Sequence, residues 1–227
     1  MNVVEVLPIA LLGGLLGLDV VSFPQAMVSR PLVAATLAGA LVGQPSSGLL
    51  IGVALELLAL ETLPFGASRY PEWGSAAVVG GAIFSEHPSH PPGAMTIAVL
   101  GALATTWVGG WTMVKLRQLN ARLARSRREG LEAGARGTVI SLQLMGLTAD
   151  LVRGGLLTLI AFLILAPIAN ATIGLWTMDA RLSRSLVVAT VASVAAGAAW
   201  KLFHATAGAR WFFVGGLAVG LVILFAK

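Results

Sequence analysis

The chain has 227 residues, 57% hydrophobic and 11% charged, with a mean hydropathy of +0.87 and a net charge of +5. Soluble domains carry about 25% charged residues, so a water-soluble globule is excluded and an all-α, polytopic integral membrane protein is expected. There are no cysteines, which removes disulfide frameworks, thiolate metal sites and thiol nucleophiles from consideration.

The first expected membrane segment is Val3–Val21. Glu5 and the lack of a basic n-region make it a poor signal peptide, so it is read as part of the mature membrane domain. Gly13, Gly14 and Gly17 give it a small-residue face for close helix contact, and Asp19 ends it, followed by Gln25. Pro8 and Pro24 allow kinks or breaks.

The chain is organised around Arg30–Trp73. Two apolar runs, Leu32–Val42 and Gly48–Leu60, are each too short to cross about 30 Å of hydrocarbon, which needs about 20 helical residues. A Gln-Pro-Ser-Ser break, Gln44–Ser47, separates them. Glu56 lies inside the second run and Glu61 just after it; a Pro-rich segment with Arg69 and Glu72 follows. Short broken helices with buried acids are the construction used at transporter substrate sites, where half-helix ends and unwound backbone supply hydrogen-bonding groups.

An intramembrane carboxylate costs roughly 3 kcal/mol and therefore tends to face a working cavity. Glu56 is accordingly the leading candidate for a substrate-facing carboxylate, able to accept charge-assisted hydrogen bonds. The alternative is a structural ion pair with Arg30 or Arg69. Glu61 falls about 500° further round a continuous helix and so points elsewhere. Glu72, Asp19, Gln25 and Glu61 complete the set of candidate substrate ligands.

Gly74–Phe84 is another short apolar run, closed by the irregular loop Ser85–Gly93. Glu86, His87 and His90 spell Glu-His-x-x-His, but three prolines deny the helix that a zinc pair at that spacing needs, so a solvated loop is expected and no metal is assigned. Gly93–Val114 is a full span with Trp107 and Trp111 near its end. Seven of the fifteen basic residues then fall in Lys115–Arg136, which reads as an amphipathic helix on the cytoplasmic membrane surface and not as a nucleic-acid site. Thr138–Asp150 and Leu151–Gly174 follow as separate segments, the second bent at Pro167; Leu186–Phe203 and Trp211–Phe225 are the last two spans. No Gly-rich phosphate loop precedes a Lys-Ser/Thr pair, and no cofactor is called for.

The run Arg30–Leu60 resembles the first part of subunit IIC of the mannose/fructose/sorbose-type phosphotransferase system. Arg30, Pro31, Gly39, Gly43, Gly48, Gly52, Leu55 and Glu56 stand at the family's Arg-Pro-Leu, glycine and Leu-Glu positions, and Pro71-Glu72 stands where the family keeps Pro-Asp. Asp19, eleven residues before Arg30, matches a further family acid, and Arg210–Gly215 is similar to a Pro-Phe-Phe-x-x-Gly element. Glu61 and Pro64 depart from the pattern. The resemblance implies one membrane domain: 1–114 with the broken-helix sugar site, a cytoplasmic amphipathic linker over 115–137, and a second half over 138–227. It implies translocation of a hexose-like sugar across the bacterial inner membrane. A membrane subunit IID and phosphoryl transfer on separate IIA and IIB subunits would make a hetero-oligomer, and the chain itself would be no enzyme. Gly39, Gly43, Gly48 and Gly52 would seat a partner or an internal helix. The rival readings are an ion-coupled secondary transporter using Glu56 and Glu61, and a degenerate IIC kept for regulation. A membrane-embedded hydrolase lacks a His or Ser set beside its carboxylates.

Overall fold

A computed structural model describes residues 3–60, 71–203 and 207–225. The described residues form nine helices and no strand. These are α1 (Val3–Val21), α2 (Pro31–Leu41), α3 (Pro45–Ala59), α4 (Trp73–Ser85) and α5 (Ala94–Ser126), then α6 (Arg128–Glu132), α7 (Arg136–Gly174), α8 (Ala180–Phe203) and α9 (Ala209–Phe225). Among the described residues, α5, α7 and α8 are long and apolar enough to cross a bilayer, and the protein is a multi-pass membrane protein that also has shorter apolar helices.

The break expected in the Arg30–Trp73 stretch is present. Pro31 and Pro45 each occupy the first turn of a helix, where a missing N–H costs nothing, and Gly43 turns the chain between them at φ +80°. The result is a re-entrant hairpin. Its two helices touch through glycine: a Cβ on Gly48 would lie 2.3 Å from the Ala35 carbonyl oxygen, and one on Gly39 2.6 Å from that of Gln44. Gly39, Gly48 and Gly52 therefore seat the hairpin's own partner helix, while Gly43 has nothing within 4 Å of its Cβ position.

Helix α4 is buried on every side from Gly74 to Ser85. A helix apolar all round belongs in an interior, and α4 is enclosed by α1, α2, α3, α5 and α7. Gly81 lets it approach Ala35 of α2, and Gly80 lets it approach Ala102 of α5.

Two expectations change. Lys115–Ser126 is not a separate surface helix; it continues α5, a 33-residue helix about 50 Å long. Thr138–Asp150 and Leu151–Gly174 are likewise one helix, α7, which runs 39 residues through Pro167. The outer parts of α5 and α7 form a hairpin closed by α6, held by Arg127 Nη1 donating to Ser141 Oγ at 2.7 Å. An apolar period alone does not report where a helix leaves the membrane, because helical hydrogen bonding continues equally well into water.

Candidate functional site

Nine residues of strap, Ser22–Arg30, connect α1 to α2 and tie the site together. Asp19, buried in the last turn of α1, accepts hydrogen bonds from the Ala26 and Ser29 amides at 2.7 and 2.9 Å. The strap needs this anchor because Gln25 and Met27 hold left-handed backbone, φ 59° and 62°. Gln25 is exposed and its amide nitrogen donates back to the Val21 carbonyl. Asp19 and Gln25 thus shape the strap.

At the end of the strap, Arg30 pairs with Glu56. Arg30 Nε donates to Oε1 at 2.6 Å, its Nη2 reaches the same oxygen, and the Leu32 amide donates to Oε2 at 3.2 Å. Of the two partners left open by the sequence, the structure places Arg30 on Glu56; Arg69, Glu61 and Pro64 lie outside the described residues. The pair is only part-buried, with side-chain exposures of 38% for Arg30 and 19% for Glu56.

At the start of the strap lies a second, fully enclosed charge centre. Glu72 caps α4, with Oε1 accepting from the Ser75 amide at 3.0 Å, and is 1% exposed. Asp150 and Arg153 face it from α7. Arg153 Nε donates to Asp150 Oδ1 at 2.9 Å, its Nη1 to Thr112 Oγ1 at 3.3 Å, and Ser22 Oγ donates to Asp150 Oδ2. Arg153 Nη2 and Glu72 Oε1 both lie within 3.5 Å of where a Gly17 Cβ would stand. Helices α1, α4 and α5 present glycines to Glu72: Cβ atoms on Gly74 and Gly109 would crowd its carboxylate oxygens at 3.1 and 3.0 Å, and one on Gly17 would touch them at 3.4 Å. Among the described residues, Glu72 Oε2, Arg153 Nη2 and Thr106 Oγ1 are buried without a hydrogen-bond partner. Buried polar atoms are nearly always satisfied, so three such atoms on neighbouring residues single this centre out as a candidate site.

Asp150 and Arg153 were not among the sequence candidates. The available signal is an Asp-x-x-Arg pair, one helical turn apart, within apolar sequence, and a segment boundary placed at Asp150 hides it. The Glu72 amide donates to the Thr106 carbonyl of α5 at 3.3 Å, about two and a half turns along the helix from Lys115, whose ammonium lies 5.6 Å from the Trp111 ring centre. The loop histidines have structural partners: His87 Nδ1 lies 3.0 Å from the Ile83 carbonyl oxygen and His90 Nε2 2.8 Å from Ser47 Oγ. Among the described residues no group of three His, Cys, Asp or Glu is placed to hold a metal.

Residues 3–224 match the family model described as the PTS system sorbose-specific IIC component. No curated protein matches the sequence. Two solved structures share the fold. One, titled a membrane protein, has a TM-score of 0.71 and 20% identity, covering 99% of this chain and 90% of its own. The other, of the mannose transporter ManYZ in complex with microcin E492, has a TM-score of 0.62 and 15% identity, covering 97% and 87%.

Proposed function

Because the chain belongs to the sorbose-type IIC family of the phosphotransferase system, we propose that it carries a hexose-like sugar across the bacterial inner membrane, for phosphorylation by a separate subunit. The observation that carries this reading is the Glu72–Arg153–Asp150 centre, a buried, incompletely paired set of donors and acceptors at the start of a short internal helix. Sugars offer adjacent hydroxyls, each both donor and acceptor, and a carboxylate beside a guanidinium matches that pattern through charge-assisted bonds. Glu72 and Glu56 are the proposed sugar-site carboxylates, Glu61 follows Glu56 on the same stretch of sequence, and Asp19 anchors the strap that contains Gln25. A movement that separates α1 or α5 from α4 would open the centre, since the three glycines leave no room for sugar in the packed arrangement.

The expected assembly is a hetero-oligomer with a IID membrane subunit, a reading supported by the fold shared with the mannose transporter ManYZ. IIA and IIB would supply the phosphoryl group at the cytoplasmic face. The hairpin of α5, α6 and α7 suits that side: Lys115–Arg136 holds seven basic and two acidic residues, a local charge of +5 that equals the whole chain's. The domain organisation follows, with this hairpin linking a sugar-site half to a C-terminal membrane half. One observation favours ion coupling as a second reading, namely that two buried carboxylates face the single guanidinium of Arg153.

The test is sugar binding to the reconstituted membrane complex. Glu72→Gln is expected to weaken binding roughly tenfold, the loss of about 1–2 kcal/mol of charge-assisted bonding. Unchanged binding by that variant, with uptake by the purified chain alone that follows a proton or sodium gradient, would replace this reading with the ion-coupled one.

A further inference from the structure

A cavity lies far from the acidic centre. It holds about 540 Å³ and opens between α3, α8 and the start of α5. It sits at the C-terminal end of α4, and the 13 residues of that helix place Glu72 about 20 Å away. Its walls are graded. Along the helices they are Leu50, Val53 and Leu57 of α3 and Val187 and Val191 of α8; at the loop end they are His90 and Arg184.

The grading coincides with a membrane boundary. Arg184 is one turn inside the start of Ala180–Lys201, a helix long enough to span. Beside it, Trp176 packs over Gly93, where a Cβ would meet the indole at 2.3 Å, and its Nε1 donates to Ser183 Oγ at 2.8 Å. An indole tied to a helix start is placed as the aromatic belts of membrane proteins are. No carboxylate lines the cavity, and Arg184, the one cation in its lining, has no ion-pair partner among the described residues.

We propose that this cavity is a phospholipid site, with the lipid phosphate at Arg184 and an acyl chain between α3 and α8. A positive group at headgroup depth above an apolar slot is complementary to an amphiphile with an anionic head. The volume falls within the range of small-ligand sites. A partner helix seated here would bury the Arg184 guanidinium against an apolar face without a counter-charge, an unfavourable arrangement. A sugar would leave its hydroxyls against valine and leucine, an unfavourable burial of polar groups. The site stands independently of the transport reading.

The experiment is native mass spectrometry of the full chain in detergent, with its membrane partner if one copurifies, titrated with phosphatidylglycerol. The wild type retains one lipid per chain. Arg184→Gln weakens retention at least tenfold and Arg184→Lys restores part of it. Val188→Trp abolishes it: Val188 lines the cavity yet is 59% exposed, so the indole fills the slot without entering the core. Diacylglycerol, which lacks the phosphate, binds as weakly to the wild type as phosphatidylglycerol does to Arg184→Gln, and millimolar inorganic phosphate does not displace the lipid. Equal retention by wild type, Arg184→Gln and Val188→Trp overturns the proposal. So does displacement by inorganic phosphate, which would make this an anion site, or cross-linking of Val188→Cys to a partner subunit in place of lipid retention.

Discussion

Glu56 and Glu72 are both carboxylates of the same broken stretch, yet the fold treats them differently. Glu56 meets its arginine at a part-open surface, with a hydrogen-bond donor on each of its oxygens. Glu72 is enclosed, lies near the Arg153–Asp150 pair without bonding to it, and keeps one oxygen unpartnered among the described residues. The first arrangement resembles a clamp that closes the strap onto α3. The second is a charge centre whose desolvation is only partly offset in the packed state, so it has more to gain from a new partner. Sequence position alone favoured Glu56; burial and pairing favour Glu72.

The sharpest way to break this contrast is to remove the Arg153 cation. Arg153→Gln leaves two buried carboxylates without a counter-charge and is expected to lower stability by about 3–5 kcal/mol. Thermal unfolding of the purified protein measures this, and a loss below 1 kcal/mol would mean that the centre is solvated in the native protein. Adding Asp150→Asn to Arg153→Gln should recover part of the loss, whereas Asp150→Asn alone should not stabilise.

A smaller effect is expected at the glycine that makes room for Glu72. In Gly109→Ala the new Cβ would stand 2.7 Å from Glu72 Cβ and 3.0 Å from Leu157 Cδ2, so α5 must move off α4. Overpacking of this kind costs about 1–3 kcal/mol. Gly197→Ala serves as the comparison for space alone, since its Cβ position on helix α8 meets nothing within 4 Å and its φ is not positive. If the transition temperature falls no further for Gly109→Ala than for Gly197→Ala, the glycine enclosure of Glu72 is not a constraint.

The smallest effect belongs to the part-open pair. Glu56→Gln should cost about 0.2–1 kcal/mol of stability, because solvent already screens the Arg30 guanidinium. Its effect on sugar binding should be smaller than that of Glu72→Gln. A reversal of that order in one titration series would return the leading role to Glu56.

Several parts of this architecture were legible along the chain. Val3–Val21 has the bounds expected of it, and the Pro31 and Pro45 helix starts follow from proline's fixed φ and missing N–H. Burial of α4 follows from a run with no polar face. The acids Glu56 and Glu72 stood out because charge within apolar sequence is costly enough to demand a reason. Less legible was the fate of Asp150. One residue before Leu151, it read as the end of a segment, although helix α7 runs past it without interruption.

The sequence by itself determined that this is a helical membrane protein, where its re-entrant hairpin breaks, and which family it resembles. Those properties depend on local quantities: transfer free energy per residue, backbone restriction by proline and glycine, and motif spacing. Only the tertiary structure decided which carboxylate is satisfied and which is not. Pairing of Glu56 with Arg30, 26 residues away, and the approach of Arg153 to Glu72 across α1 and α5, depend on distances that no periodicity encodes. Electrostatic energy is set by separation in space and by exclusion of water, and both arise only once the helices have packed.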